Sequence, residues 1–146
     1  ILGDGRDFVT AIICIRYSIL SKWAEKQHIE FTTYADLSAR PQTNDLIRAE
    51  VVRINATLPD NQRIHRYLLL YKELDADDGE LTRTRKVRRS TVVERYAALI
   101  EGLYSDEERC SFETQVSFED GRTSVLRGDL EIRNAKTFPY LQQNAA

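Results

Sequence analysis

The sequence predicts a small α+β domain: a small mixed sheet flanked by helices, followed by a C-terminal β-hairpin. Two apolar runs, residues 8–15 and 66–74, have strand length and are rich in β-branched, leucine or aromatic residues. Three longer stretches repeat apolar residues at helical spacing, and near the end apolar and polar residues alternate around Asp120-Gly121. Strands and helices mix without a regular βαβ rhythm, which favours α+β over a wound parallel sheet.

Gly3-Asp4-Gly5-Arg6 reads as a hairpin turn between a strand ending at Ile1-Leu2 and a second strand over 8–15. Residues 18–27 place Ile19, Leu20, Trp23 and Ala24 on one helical face, with Ser18 as the expected cap. A polar connection is expected over 28–40. From Pro41, a first-turn residue, Ile47, Val51, Ile54 and Leu58 recur at helical spacing until Pro59 stops them. Residues 66–74 form the next strand and 75–79 a turn. Thr91-Val-Val-Glu94 has capping-box form and opens a helix to about Tyr104, with Val92, Tyr96, Leu99 and Leu103 inward and Gly102 weakening its end. In the hairpin Phe112, Val116 and Phe118 alternate, Asp120-Gly121 turns, and 124–132 returns. The tail from 135 to 146 carries Phe138, Pro139 and Tyr140 without a clear period.

At 146 residues the chain fits one domain with a real core, and 42% apolar content is too high for a disordered chain. Its longest apolar runs fall short of a membrane span. Cys14 and Cys110 are expected as free thiols. The chain has no methionine and begins in the middle of a hairpin pattern, so it is expected to be a fragment whose first strand lies mostly upstream.

Charge is concentrated at one connection. Residues 79–89 read GELTRTRKVRR, and five of the seven residues 83–89 are basic in a chain of formal net charge −2. Such a run is most often a solvated face. It can also carry a mobile cation to a polyanion, for which phosphate is the commonest partner. The preceding acids do not form a calcium loop: counted from Glu73, glycine falls one place late and the twelfth position is Thr84. Gly3-x-Gly5 is better explained by a turn, and His28 and His65 have no ligand-spaced neighbours, so no metal site is expected. No nucleophile elbow is present.

The pattern Leu81-Thr82-x-Thr84-x-Lys86-Val87-x-Arg89, then Tyr96-Ala97-x-Leu99-Ile100 and Leu103-Tyr104, resembles the C-terminal end of the long-chain acyl-CoA synthetases. These long-chain fatty acid–CoA ligases belong to the AMP-forming adenylating superfamily. Gly3-Asp4-Gly5-Arg6, Trp23-Ala24 before Ile29 and Phe31, Asp36-Leu37, and Asn55 before Leu58 agree in order. The resemblance covers roughly residues 1–104, with a weaker echo in the hairpin. It implies a C-terminal lid domain over 1–134 and a tail over 135–146, with the N-terminal adenylation domain upstream.

The resemblance further implies that Lys86 is the adenylation lysine. Arg83, Arg85, Arg88 and Arg89 would then guide phosphates of ATP or CoA, although each arginine singly reads better as a surface ion-pair residue, for example with Glu94. Many members of the wider superfamily carry glycine directly before the lysine, where this chain has Arg85. The implied substrates are ATP, a fatty acid and CoA, with Mg2+ entering with ATP and held mainly by the adenylation domain. The implied setting is cytoplasmic, with peripheral membrane contact of the full-length enzyme as a further expectation. Alone, the fragment is expected to be inactive and Lys86 to be exposed. The alternatives are a nucleic-acid or phosphate-binding module using the basic run, and a freestanding regulatory domain. A pI near 5.8 and the lack of interleaved aromatics argue against nucleic acid as a partner.

Overall fold

A computed structural model describes residues 1–117 and 120–135. Its elements, in chain order, are β1 (Val9–Ile13), α1 (Tyr17–Lys26), α2 (Tyr34–Ala39), α3 (Pro41–Asn55), β2 (Ile64–Leu69), α4 (Arg89–Arg95), α5 (Ala97–Leu103), β3 (Arg109–Ser117), β4 (Thr123–Glu131) and β5 (Arg133–Asn134). The fold is α+β. One sheet is mixed, in the order β1-β2-β5, with β1 parallel and β5 antiparallel to β2; β3 and β4 form a separate antiparallel hairpin. Parallel pairing of β1 and β2 needs a crossover, and α1–α3 supply it.

Central β2 is covered on both faces, which is why Tyr67-Leu68-Leu69-Leu70 reads as a continuous apolar run. Tyr67 packs with Ala11, Val51 and Ala135, and Leu69 with Ile15, Leu20, Ala24 and Leu37, on the side of α1–α3. Leu68 and Leu70 point the other way, to Tyr96, Leu99, Leu103 and Ile132. The N-terminal turn is present: Leu2 and Thr10 exchange backbone bonds of 2.8 and 2.9 Å around Gly5, whose φ is +69°. Pro41 occupies the first turn of α3, and buried Asn55 closes that helix onto β2 by bonding both the N–H and the C=O of Ile64 at 2.9 Å.

Several local expectations are corrected. α1 begins one residue early without a Ser18 cap; the Tyr17 N–H is satisfied instead by Glu73 Oε1 at 2.9 Å. The stretch 28–40 contains a helix, α2, capped by Thr33 Oγ1 accepting from the Asp36 N–H at 3.1 Å. β2 runs from Ile64 to Leu69 rather than to 74, because the chain turns away to form the acidic turn. Thr91 is no cap: α4 already starts at Arg89, and Tyr96 (φ −101°, ψ 23°) divides the expected single helix in two. The hairpin forms as expected with Gly121 at φ +82°. Phe118, the side chain of Val116 and the tail residues Phe138, Pro139 and Tyr140 lie outside what is described. Cys14 and Cys110 are free thiols.

Gly102 and Gly128 explain how the hairpin docks. A Cβ on Gly102 would lie 2.9 Å from Cys110 Sγ, and one on Gly128 would lie 2.8 Å from the ring of Phe112. The Phe112 ring stacks on Tyr71 with centroids 4.1 Å apart. Arg66 completes the joint by donating to the carbonyls of Leu103 (2.9 Å), the last residue of α5, and of Ser105 and Glu107 beyond it. No helix among the described residues is long and apolar enough to cross a membrane.

Candidate functional site

The basic run forms a small, tightly bonded hairpin of its own. At its neck the Glu80 carbonyl accepts the Arg88 N–H at 2.8 Å, and Leu81 and Val87 pair as an antiparallel bridge. Further out, the Thr82 N–H donates to the Lys86 carbonyl at 2.8 Å, and the Lys86 N–H donates to Thr82 Oγ1 at 3.0 Å. At the tip the Arg85 N–H closes onto the Thr82 carbonyl at 2.9 Å, while the Thr82 and Thr84 hydroxyls lie 3.1 Å apart. Both main-chain groups of Lys86 are therefore held by one residue, Thr82.

Arg85 has φ +63°, the left-handed region. Glycine enters that region without steric cost, whereas a side chain is strained there. The departure from the superfamily glycine thus falls at the one position of the turn whose backbone favours glycine.

The side chains point outward. Arg83, Arg85, Lys86, Arg88 and Arg89 are all exposed, and Val87 is 55% exposed. Lys86, Arg83, Arg85 and Arg88 make no ion pair with the described residues. Arg89 bonds the Ile1 carbonyl at 2.8 Å, so the anticipated pairing of Arg88 or Arg89 with Glu94 does not occur. The loop gathers five cations whose charge faces solvent, apart from that one bond. Arg85 also borders an open cleft of about 660 Å³ with Arg16, Tyr17 and Ser18 at the start of α1, and Cys14 and Leu74.

Beneath the loop lies a residue that sequence reasoning passed over. Glu80 is fully buried. Its carboxylate takes Lys72 Nζ at 2.7 Å, the Asp75 N–H at 3.2 Å, Arg95 Nη1 at 3.4 Å and the Tyr96 hydroxyl. Burial, and then the bond to Glu80, pushes the Tyr96 phenol well above its usual range. Burial works against the charged form of Lys72, but its bonds to Asp78 and Glu80 outweigh this and its pKa is raised. The same bond holds the Asp78 carboxyl below its ordinary value. In sequence Glu80 merely ends an acidic run, and no periodicity marks it as buried.

Chemically, the arrangement can bring a dense positive charge to an anion. It has no donor set for a metal: among the described residues no three His, Cys, Asp or Glu side chains come together.

The chain matches the AMP-binding enzyme C-terminal domain over residues 1–108, which includes the whole basic loop and stops just before β3. It is similar to the long-chain-fatty-acid–CoA ligase FadD15 of Mycobacterium tuberculosis (strain ATCC 25618 / H37Rv), 30% identical over 108 residues, covering 73% of this chain and 18% of that protein. FadD15 of Mycobacterium bovis (strain ATCC BAA-935 / AF2122/97) gives the same figures. The fadD11 protein of Mycobacterium tuberculosis (strain CDC 1551 / Oshkosh) is 32% identical over 108 residues, 74% of this chain and 19% of that protein. The chain thus spans less than a fifth of the length of the curated relatives it matches. No solved structure matches it. With its first 108 residues, basic loop included, covered by the family, the chain belongs to the AMP-binding enzyme C-terminal domain family.

Proposed function

We propose that this chain is the mobile C-terminal domain of an ATP-dependent long-chain fatty acid–CoA ligase, and that Lys86 is its adenylation lysine. The observation that carries the reading is the basic turn, which fixes the Lys86 backbone at both polar groups and leaves its ammonium exposed and unpaired among the described residues. A structural lysine would be held by its side chain. This one is held by its main chain and presents its charge.

The chemistry requires such a group. A fatty-acid carboxylate attacks the α-phosphate of ATP, forming an acyl–phosphate bond as the bond to pyrophosphate breaks. Both reactants are anionic, and an ammonium placed between them offsets their repulsion and the charge developing in the transition state. In the second half-reaction the sulfur of CoA attacks the acyl carbonyl and AMP leaves. An extended Lys86 at the adenylation centre would obstruct that geometry, so the domain swings to present another face. Arg83, Arg85 and Arg88, unpaired among the described residues, offer charge to the phosphates of ATP or CoA along the same edge. Mg2+ enters bound to ATP and is held by the phosphates and the adenylation domain.

Fatty-acid-dependent ATP–pyrophosphate exchange tests the reading. The ligase comprising an adenylation domain joined to this chain exchanges label; the 146-residue chain alone does not, and binds ATP weakly at most. Micromolar ATP binding by the isolated chain with defined stoichiometry would contradict the proposal.

A further inference from the structure

We propose that Glu80 is the positioning residue of the basic loop: its buried carboxylate, gripped by Lys72, Arg95 and Tyr96, fixes the neck from which Lys86 is presented. The catalytic consequence rests on the adenylation reading above; the structural one does not.

Glu80 stands where three segments meet. Its N–H bonds the Asp75 carbonyl at 3.0 Å, which closes the acidic turn, and its C=O receives the Arg88 N–H at 2.8 Å, which closes the basic loop. One carboxylate oxygen reaches Lys72 and the Asp75 N–H, while the other reaches Arg95 and Tyr96 at the joint between α4 and α5. A fully buried carboxylate is tolerated only with such partners. An apolar side chain could fill the same volume but would tie nothing to the loop. The charge is therefore informative: it couples the angle of the loop neck to two cations and one phenol on the body of the domain. Lys86 lies six residues further along, across a bonded ladder that is also tied to the acidic turn by the Leu81 N–H, donating to the Asp75 carbonyl at 3.2 Å. A shift at Glu80 therefore moves the backbone from which Lys86 projects.

Glu80→Gln keeps the shape and removes the charge, and Tyr96→Phe removes a single bond to the same carboxylate. Amide hydrogen exchange on the 146-residue chain reads the loop directly. In Glu80→Gln the Thr82, Lys86 and Arg88 amides exchange tenfold or more faster, while those of Tyr67 and Leu68 in β2 hold. Tyr96→Phe moves the same amides in the same direction by less. In the ligase joined to its adenylation domain, Glu80→Gln slows acyl-adenylate formation tenfold or more and changes thioester formation from preformed acyl-AMP less than threefold. The Glu80→Gln/Lys86→Ala pair adenylates no more slowly than Lys86→Ala alone, because Glu80 acts through Lys86.

Unchanged loop exchange in both variants would overturn the proposal. So would losses that multiply in the double variant, or equal losses in the two half-reactions. If Lys86→Ala itself leaves adenylation intact, the adenylation reading has failed. The exchange data then decide alone whether Glu80 holds the loop.

Discussion

Replacing Gly102 by alanine sets two effects of opposite sign against each other. In a helix interior the change gains about 1 kcal/mol of propensity, and one residue before the end of α5 about half of that. Against it stands the docked hairpin. The new methyl would lie 2.9 Å from Cys110 Sγ, 3.1 Å from Cys110 Cβ and 3.5 Å from Ile132 Cδ1. The sulfur could swing, but the Cβ moves only with β3, whose nine residues are paired to β4. Overpacking of this kind costs about 1–3 kcal/mol. The steric cost wins, for a net loss of about 1–2 kcal/mol. Urea unfolding of the 146-residue chain followed by circular dichroism measures it. Cys110→Ala in the same background removes the closest contact and should recover about half of the loss. A Gly102→Ala variant more stable than the parent would refute the close docking of the hairpin on α5, as would strict additivity with Cys110→Ala.

Other outcomes follow from the same geometry. Arg85→Gly should leave global stability within about 0.5 kcal/mol, since relief of left-handed strain is offset by glycine's flexibility, whereas Arg85→Val should speed exchange at the Thr82 and Lys86 amides at least tenfold; equal exchange in the two variants would contradict the strained turn. The pairing of Lys72 and Asp78 depends on pH at both ends. Asp78 is depressed below 3.8, so its contribution is complete above that value and is lost as pH falls through its folded pKa; Lys72 is raised above 10.5, so its contribution is complete below that value and is lost as pH rises through its folded pKa. Protection factors of the Gly79 and Glu80 amides should accordingly be level from pH 5 to 9 and fall in stronger acid, and a fall already near pH 6 would count against the pairing. Leu103→Ala should cost about 2–5 kcal/mol by urea unfolding, because Leu103 is fully buried among Leu68, Leu70 and Leu99; a cost below about 1 kcal/mol would remove it from the core.

Much of the architecture was legible in the residues because burial leaves a period. The run Tyr67-Leu68-Leu69-Leu70 signals a strand covered on both faces, and Pro41 with Ile47 and Val51 signals α3, although Ile54, expected on the same face, is exposed. α2 had a readable signal, Thr33 three residues before Asp36, but its six residues carry too little amphipathic pattern to outweigh the polar surroundings. The break at Tyr96 could not be seen, since Val92, Tyr96, Leu99 and Leu103 keep helical spacing across it. Gly102 looked like a weak helix end, and only the approach of Cys110 shows what its missing side chain permits. At the site, the basic run stands out by charge, and within it the family resemblance singles out Lys86. Glu80 does not, because an acid beside acids reads as solvated until its buried partners are brought from Lys72, Arg95 and Tyr96. Long-range pairing leaves no local mark.

The most direct test of the account is the pair of half-reactions in the ligase joined to its adenylation domain, measured separately for Lys86→Ala. Loss of one electrostatic donor corresponds to about 3 kcal/mol, so acyl-adenylate formation should slow by a hundredfold or more. Conversion of preformed acyl-AMP to the CoA thioester should change only a few-fold. Equal losses in both halves, or no loss in the first, would contradict a role for Lys86 in adenylation.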